Sequence, residues 1–245
     1  MASTAISTRV HVLWAAGYKP VFDLIHCMEF GLTCTPINTT VDVPPLTHLR
    51  TQVVRYIERA HLVLVVTDSL TAIWAEAAQT VCAEAGCNAP IHVLLTNAPS
   101  QVRAACVSIR ALGALLNTEG PVGIDVEDVR MALTGGDSTR IATAKATGNT
   151  RAQDALNLAL RDLGHAKPES SALDGLLVIF AGASDSLSLK EAGTALKQLQ
   201  PNLGPNVHFA YCLLHDDSLG VELRVTVFAT NSCGQQSENQ LRETP

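Results

Sequence analysis

A chain of 245 residues, 47% hydrophobic and only 16% charged, has enough apolar material for one large domain or two small ones with a real core. Its formal net charge of -6 excludes a general nucleic-acid binder, which needs a basic face to displace counterions. The same composition excludes a disordered chain. Aromatic residues make up 4%, so Val, Leu, Ile and Ala must build the core. No run approaches the roughly 18 apolar residues that cross a bilayer, and the greasiest, Leu62 to Val66 and Leu176 to Ala183, have the length of strands. The opening residues lack a basic segment followed by an apolar one, so no secretory signal is expected and the expected location is the cytoplasm. Seven cysteines with no CxxC spacing are expected to be buried, reduced thiols.

Val10 to Trp14 predicts a buried strand, which Gly17 breaks. Pro20 suits the first turn of a helix, and Val21, Leu24, Ile25 and Met28 give it an apolar face that ends at Gly31. Thr33 to Asn38 predicts a second strand, and Val43-Pro44-Pro45 a loop. Leu49 to Arg59 is a helix with Val53, Tyr56 and Ile57 inward. Leu62 to Val66 has the unbroken apolar character of a central parallel strand. Thr71 to Ala85 is an Ala-rich helix and Ile91 to Leu95 a further buried strand. This alternation predicts a doubly wound α/β sheet.

Gln101 to Leu116 is a long helix with no strand directly behind it, and Gly120, Gly123, Gly135 and Gly136 then punctuate the chain. Strands are expected at Arg140 to Ala146, Leu176 to Phe180, Val207 to Leu213 and Glu222 to Thr230. Helices are expected at Arg151 to Leu163 and Leu189 to Leu199. The second half is therefore a mixed α+β unit. Cys233 to Pro245 is polar and expected to fray.

Four stretches of the second half, in order, carry a family resemblance. They are Gly123-Ile-Asp-Val-Glu-Asp-Val129, Ala146-Thr-Gly-Asn-Thr-Arg-Ala-Gln-Asp-Ala155, Leu173-Asp-Gly-Leu-Leu-Val-Ile-Phe-Ala-Gly182 and Leu223-Arg-Val-Thr-Val-Phe-Ala-Thr230. Together they resemble the C-terminal domain of FtsZ, the bacterial tubulin-like division GTPase. The first stretch is similar to that family's synergy loop, Asn-x-Asp-x-x-Asp-Val. The first half resembles FtsZ in outline only, with Asn97-Ala-Pro-Ser100 standing where the family has a further strand and helix. The resemblance implies a reduced Rossmann-like parallel-sheet domain over residues 1–100. A central helix over 101–118 follows, then an α+β two-layer domain over 119–232 and a disordered tail over 233–245.

The chemistry of the first half departs from that family. A triphosphate is held by backbone N–H groups converging at a helix start, and glycines let the backbone approach. Where FtsZ has its Gly-rich signature loop, this chain reads Thr67-Asp-Ser-Leu-Thr-Ala-Ile-Trp74, without a glycine. Ala15-Ala-Gly-Tyr-Lys-Pro20 holds one glycine where the family has a cluster, and the guanine-binding Asp falls at Arg103. Gly17 and Asn38 are what remains of the nucleotide pocket. No GTP, metal or other cofactor is expected. Asp68, Ser69 and Thr71 read as a helix cap.

The synergy-loop residues are better kept. Asp125 and Asp128 stand where the family places the carboxylates that reach a neighbouring subunit's GTP, with Gly123 in place of the family's Asn. The alternative reading of both is N-capping of the helix that contains Val129 to Leu133. Scattered histidines place His11, His61 and His92 at or beside different strands, which leaves convergence at the sheet edge open. Lys145 and Arg151 read as solvated surface charges, and Arg224 as a structural partner of Glu222 or Asp217. No Gly-x-Ser-x-Gly elbow supports hydrolase chemistry.

The resemblance thus implies an FtsZ-like protein without GTPase activity of its own. It would dock through Gly123, Asp125 and Asp128 onto FtsZ or similar filament subunits and modulate their assembly in cell division. The competing readings are a divergent GTPase and a self-associating scaffold. No nucleic acid and no direct membrane contact are expected.

Overall fold

The structure, a computed structural model, describes residues 8–15, 31–37, 46–95, 99–164 and 173–232. Expectations for the helix beginning at Val21, for Gly17 and Asn38, and for the tail from Cys233 lie outside these residues.

The described elements are β1 (Val10–Trp14), β2 (Leu32–Pro36), α1 (Leu46–Ile57), β3 (Leu62–Asp68), α2 (Ile73–Glu84) and β4 (Ile91–Leu95), followed by α3 (Pro99–Asn117), α4 (Val126–Leu133), β5 (Ser138–Ala146), α5 (Arg151–Asp162), β6 (Leu173–Gly182), α6 (Leu189–Leu199), β7 (His208–His215) and β8 (Leu223–Asn231). All eight strands join one sheet in the order β2-β1-β3-β4-β5-β8-β6-β7. The strands β2, β1, β3 and β4 pair in parallel, as the alternating strand–helix pattern predicts. In the other half β8 runs antiparallel to both β5 and β6, and β7 lies parallel to β6.

A single register pair, Val93↔Thr139, joins the two halves, where β5 lies parallel to β4. This seam was not legible in the sequence. It exists because β4 ends at Leu95 and α3 starts at Pro99, so no further strand covers the β4 edge before β5 arrives. An unpaired edge leaves N–H and C=O groups without partners, and β5 supplies them. The side chain of His92 adds to the seam. Its Nε2 lies 2.7 Å from Thr67 Oγ1 on β3, and its Nδ1 lies 3.1 Å from the Asp137 carbonyl at the start of β5.

Helices cover both faces. On one side α3 and α4 pack Ile109, Leu112, Val129 and Leu133 against Val12, Leu64, Val93, Ile179 and Phe228. On the other, α1 and α2 cover Leu13, Val63 and Val65, while α5 and α6 cover Val178, Phe180 and Val227. Because β3 is buried on both faces, Leu62 to Val66 is apolar without alternation. Two glycines permit close approaches. A Cβ on Gly120 would lie 2.4 Å from the Leu213 carbonyl oxygen, where the chain leaving α3 runs along the β7 edge and Val122 accepts the Leu213 N–H at 3.0 Å. A Cβ on Gly175 would lie 1.8 Å from the Ala132 carbonyl oxygen, so α4 crosses β6 backbone to backbone.

Among the described residues, no helix is long and apolar enough to cross a membrane. Cys34, Cys82, Cys87, Cys106 and Cys212 are free thiols, and burial pushes Cys34 and Cys82 up to about 12.

Candidate functional site

In an open parallel sheet, ligands bind beyond the carboxyl ends of the strands, where helix N-termini present backbone N–H groups. Among the described residues, the tip that follows β3 is such a place. There the Asp68 carboxylate folds back over the turn. Its Oδ1 accepts from the backbone N–H groups of Leu70 and Thr71, each at 3.0 Å, and from the Thr71 hydroxyl at 3.0 Å. The Asp68 N–H in turn donates to Thr71 Oγ1 at 2.9 Å. Asp68 and Thr71 are buried. The chain's own carboxylate thus closes the turn between β3 and α2, but it does not cap the helix as expected for Asp68, Ser69 and Thr71. The N-cap of α2 is Ala72, which makes no side-chain cap bond, because the donors that Asp68 takes, Leu70 and Thr71, precede the helix. Leu70 and Ile73 point outward on the same tip, 84% and 45% exposed. Arg103 is exposed on the first turns of α3.

Asp125 and Asp128 lie at the opposite end of the sheet. Arg130 fixes α4 there, since its guanidinium donates to the His61 carbonyl just before β3 and pairs with Glu127. Asp125 is the N-cap of α4 in a capping box. Asp125 Oδ1 accepts the Asp128 N–H at 2.9 Å, and Asp128 Oδ2 accepts the Asp125 N–H at 3.1 Å. The capping role is therefore present, yet it occupies one oxygen of each carboxylate. Among the described residues, the second oxygens, Asp125 Oδ2 and Asp128 Oδ1, have no protein partner. Asp125 and Gly123 are exposed and Asp128 is half-buried. Nothing lies within 4 Å of a Cβ built on Gly123, so no steric demand explains a glycine at that position.

The three histidines do not converge. His11 Nδ1 lies 2.6 Å from Thr33 Oγ1, His61 Nδ1 accepts the Arg9 N–H at 2.9 Å, and His92 serves the β4–β5 seam. Among the described residues no group of three or more His, Cys, Asp and Glu is arranged to hold a metal. Two charge readings are corrected. Arg151 is buried rather than solvated, because its guanidinium meets Glu191 at 3.1 and 3.3 Å, the Val221 carbonyl at 2.9 Å and the Ser186 carbonyl at 2.8 Å. Arg224 pairs with Asp216 at 2.8 Å, since Glu222 is taken by Lys145 and Asp217 by Ser184. Burial pushes the Asp216 carboxyl up, but the Ser218 hydroxyl and the Arg224 guanidinium together outweigh it and hold Asp216 below the ordinary carboxylate range, as hydrogen bonds from Ser184 do for Asp217.

His11 makes the fold acid-sensitive. Burial lowers its pKa from the ordinary 6.5 to about 4, so the folded chain keeps it neutral. Between those two values the unfolded chain binds a proton that the folded chain refuses. Stability therefore falls as pH falls through that window, by up to about 1.4 kcal/mol per pH unit. Burial shifts His61 and His92 in the same direction. Urea midpoints measured from pH 7 to pH 4 are expected to drop, and a His11→Gln variant is expected to flatten the lower part of the curve.

No family model matches the sequence. The solved structures give a clear likeness of fold. A W319Y mutant of FtsZ from M. jannaschii has a TM-score of 0.74 at 15% identity, covering 92% of this chain and 91% of that one. An empty FtsZ dimer from the same organism has a TM-score of 0.72 at 14% identity, covering 91% and 88%. CetZ2 from Haloferax volcanii, in a GTPγS-bound protofilament, has a TM-score of 0.50 at 13% identity, covering 91% and 93%. The chain has an FtsZ-like fold. At these identities the likeness is one of architecture, and function rests on the residues of the two ends of the sheet.

Proposed function

We propose that this protein is an FtsZ-fold subunit without a GTP site of its own, which docks through its synergy-loop end onto FtsZ or similar filament subunits in the cytoplasm and modulates their assembly in cell division. The observation that carries this reading is the Asp68 carboxylate seated on the N–H groups of Leu70 and Thr71. A phosphate arriving at that tip would meet an anion already satisfied by three donors, in a turn with no glycine to admit its backbone. At the other end, capping holds Asp125 and Asp128 in place while each keeps one oxygen for a partner.

Two measurements test this. Titration with labelled GTP and magnesium is expected to show no saturable binding in the micromolar range, and saturation there overturns the reading. Pelleting and GTPase assays with purified FtsZ at near-equal concentrations are expected to show altered assembly or turnover. Asp125→Asn is expected to abolish any stimulation while keeping the cap, since Asn caps about as well as Asp. Asp125→Ala would add about 1 kcal/mol of lost stability and blur the result.

Self-association is the second reading, favoured by the outward Leu70 and Ile73 on one end and the 56% exposed Met131 on α4 at the other. Concentration-dependent light scattering of the protein alone, lost on Leu70→Ser, would favour it over docking to a different subunit.

A further inference from the structure

We propose that a groove on the α1 face of β1 and β2, far from the Asp68 tip, is a binding site for a small phosphate-bearing anion. This inference stands apart from the docking reading. The groove has a volume of about 410 Å³, within the range of small-molecule sites, and its walls include Arg9, His11, Thr33, Arg55, Tyr56 and Arg59. Among the described residues no carboxylate lines it. Glu58, the nearest acidic residue in sequence, lines a different cavity and acts on Cys87.

The three guanidiniums are exposed at the groove, and among the described residues none is paired with a carboxylate. Arg9 donates through Nε to the Arg59 carbonyl, which ties the start of β1 to the turn after α1. Arg55 lies 4.7 Å from the Tyr56 ring centroid and donates from Nη2 to the Tyr56 hydroxyl at 2.9 Å. The Tyr56 ring stacks on His11, with centroids 4.9 Å apart and planes 2° from parallel. The stack gives the groove a firm wall.

His11 supplies the second observation. It is 1% exposed, Thr33 holds its Nδ1, and its Nε2 is buried without a hydrogen-bond partner among the described residues. A buried polar atom left unmatched is costly, and a ligand or the water it carries is the kind of partner that satisfies it.

Three cations in one concavity, none paired with a carboxylate among the described residues, repel each other, and in a chain of net charge -6 they mark a local reversal of sign. Guanidinium forks match phosphate oxygens, and a polyphosphate offers the charge that three of them need. The small volume and the acidic chain argue against a nucleic-acid polymer.

Inorganic pyrophosphate is the probe, titrated calorimetrically into the full chain in chloride buffer at about 50 mM salt. The expected result is saturable 1:1 binding tighter than roughly 1 mM. Arg9→Gln with Arg59→Gln, both at exposed side chains, is expected to weaken it at least about tenfold, the loss of 1.4 kcal/mol or more. Arg50→Gln, whose side chain is occupied by Glu84, is expected to leave it unchanged. The His11 imidazole resonances are expected to move with the same saturation curve. No saturation, or binding that ignores the double variant, overturns the proposal. Sedimentation with phosphatidylglycerol vesicles separates the sources of the phosphate. Uptake sensitive to the double variant, alongside pyrophosphate binding, extends the site to a lipid headgroup. Vesicle uptake without pyrophosphate binding overturns the small-anion site.

Discussion

Gly175→Ala is expected to lower stability by about 3 kcal/mol or more, because overpacking against backbone has no flexible neighbour to absorb it. The methyl group would sit 1.8 Å from the Ala132 carbonyl oxygen, inside any allowed contact. Relief requires α4 to lift from β6, and α4 carries buried Val129, Ala132 and Leu133 in the core it shares with α3. For a chain of this size the loss corresponds to a fall in Tm of roughly 6–12 °C. Thermal unfolding of Gly175→Ala beside Gly123→Ala makes the comparison internal. The second glycine has open space around it, so its change is expected to stay within about 0.5 kcal/mol. Equal effects at both positions would mean that α4 does not rest on the β6 backbone. Because α4 begins with Asp125, the first variant is also expected to impair any effect on a partner.

Glu191→Ala is expected to cost about 3 kcal/mol, in contrast to a change of under about 1 kcal/mol for Glu222→Ala. Both remove the acidic half of an ion pair. The difference is solvent: the side chains of Arg151 and Glu191 are 10% and 20% exposed, whereas those of Lys145 and Glu222 are 48% and 42% exposed. Without Glu191 the Arg151 cation keeps two carbonyl partners, Ser186 and Val221, but no counter-charge. Urea denaturation of both variants at neutral pH checks the contrast, and equal small losses would show that water reaches Arg151 freely.

Elements with a strong local pattern were legible in the sequence. Leu189–Leu199 matches its expected bounds, because Ala192, Ala195, Leu196 and Leu199 repeat at helical spacing before Pro201. Val10–Trp14 and Ile91–Leu95 match too, since buried parallel strands are short apolar runs between breakers. The capping of α4 was legible because Asp bonds its own neighbouring backbone, whereas at the β3 tip the same tendency closes a turn before α2 and leaves the helix without a side-chain cap. What sequence could not show depends on distant partners. Nothing in Arg151 itself announces that Glu191, forty positions on, will bury it. The pairing of Val93 with Thr139 depends on which edge is left open, a property of the whole sheet. The arginine groove escaped notice because Arg9 and Arg59 meet only when β1 lies beside β3.

That late pairing has a consequence for biosynthesis. The strands β1 to β4 are complete in sequence well before β5, so a nascent chain emerging from the ribosome can assemble four parallel strands while the outer side of β4 still lacks its neighbour. Throughout translation of α3, α4 and their loops, Ile91 to Leu95 offers a bare apolar ribbon to any other chain nearby. Chaperone dependence should therefore peak in that interval and end when Thr139 zips onto Val93.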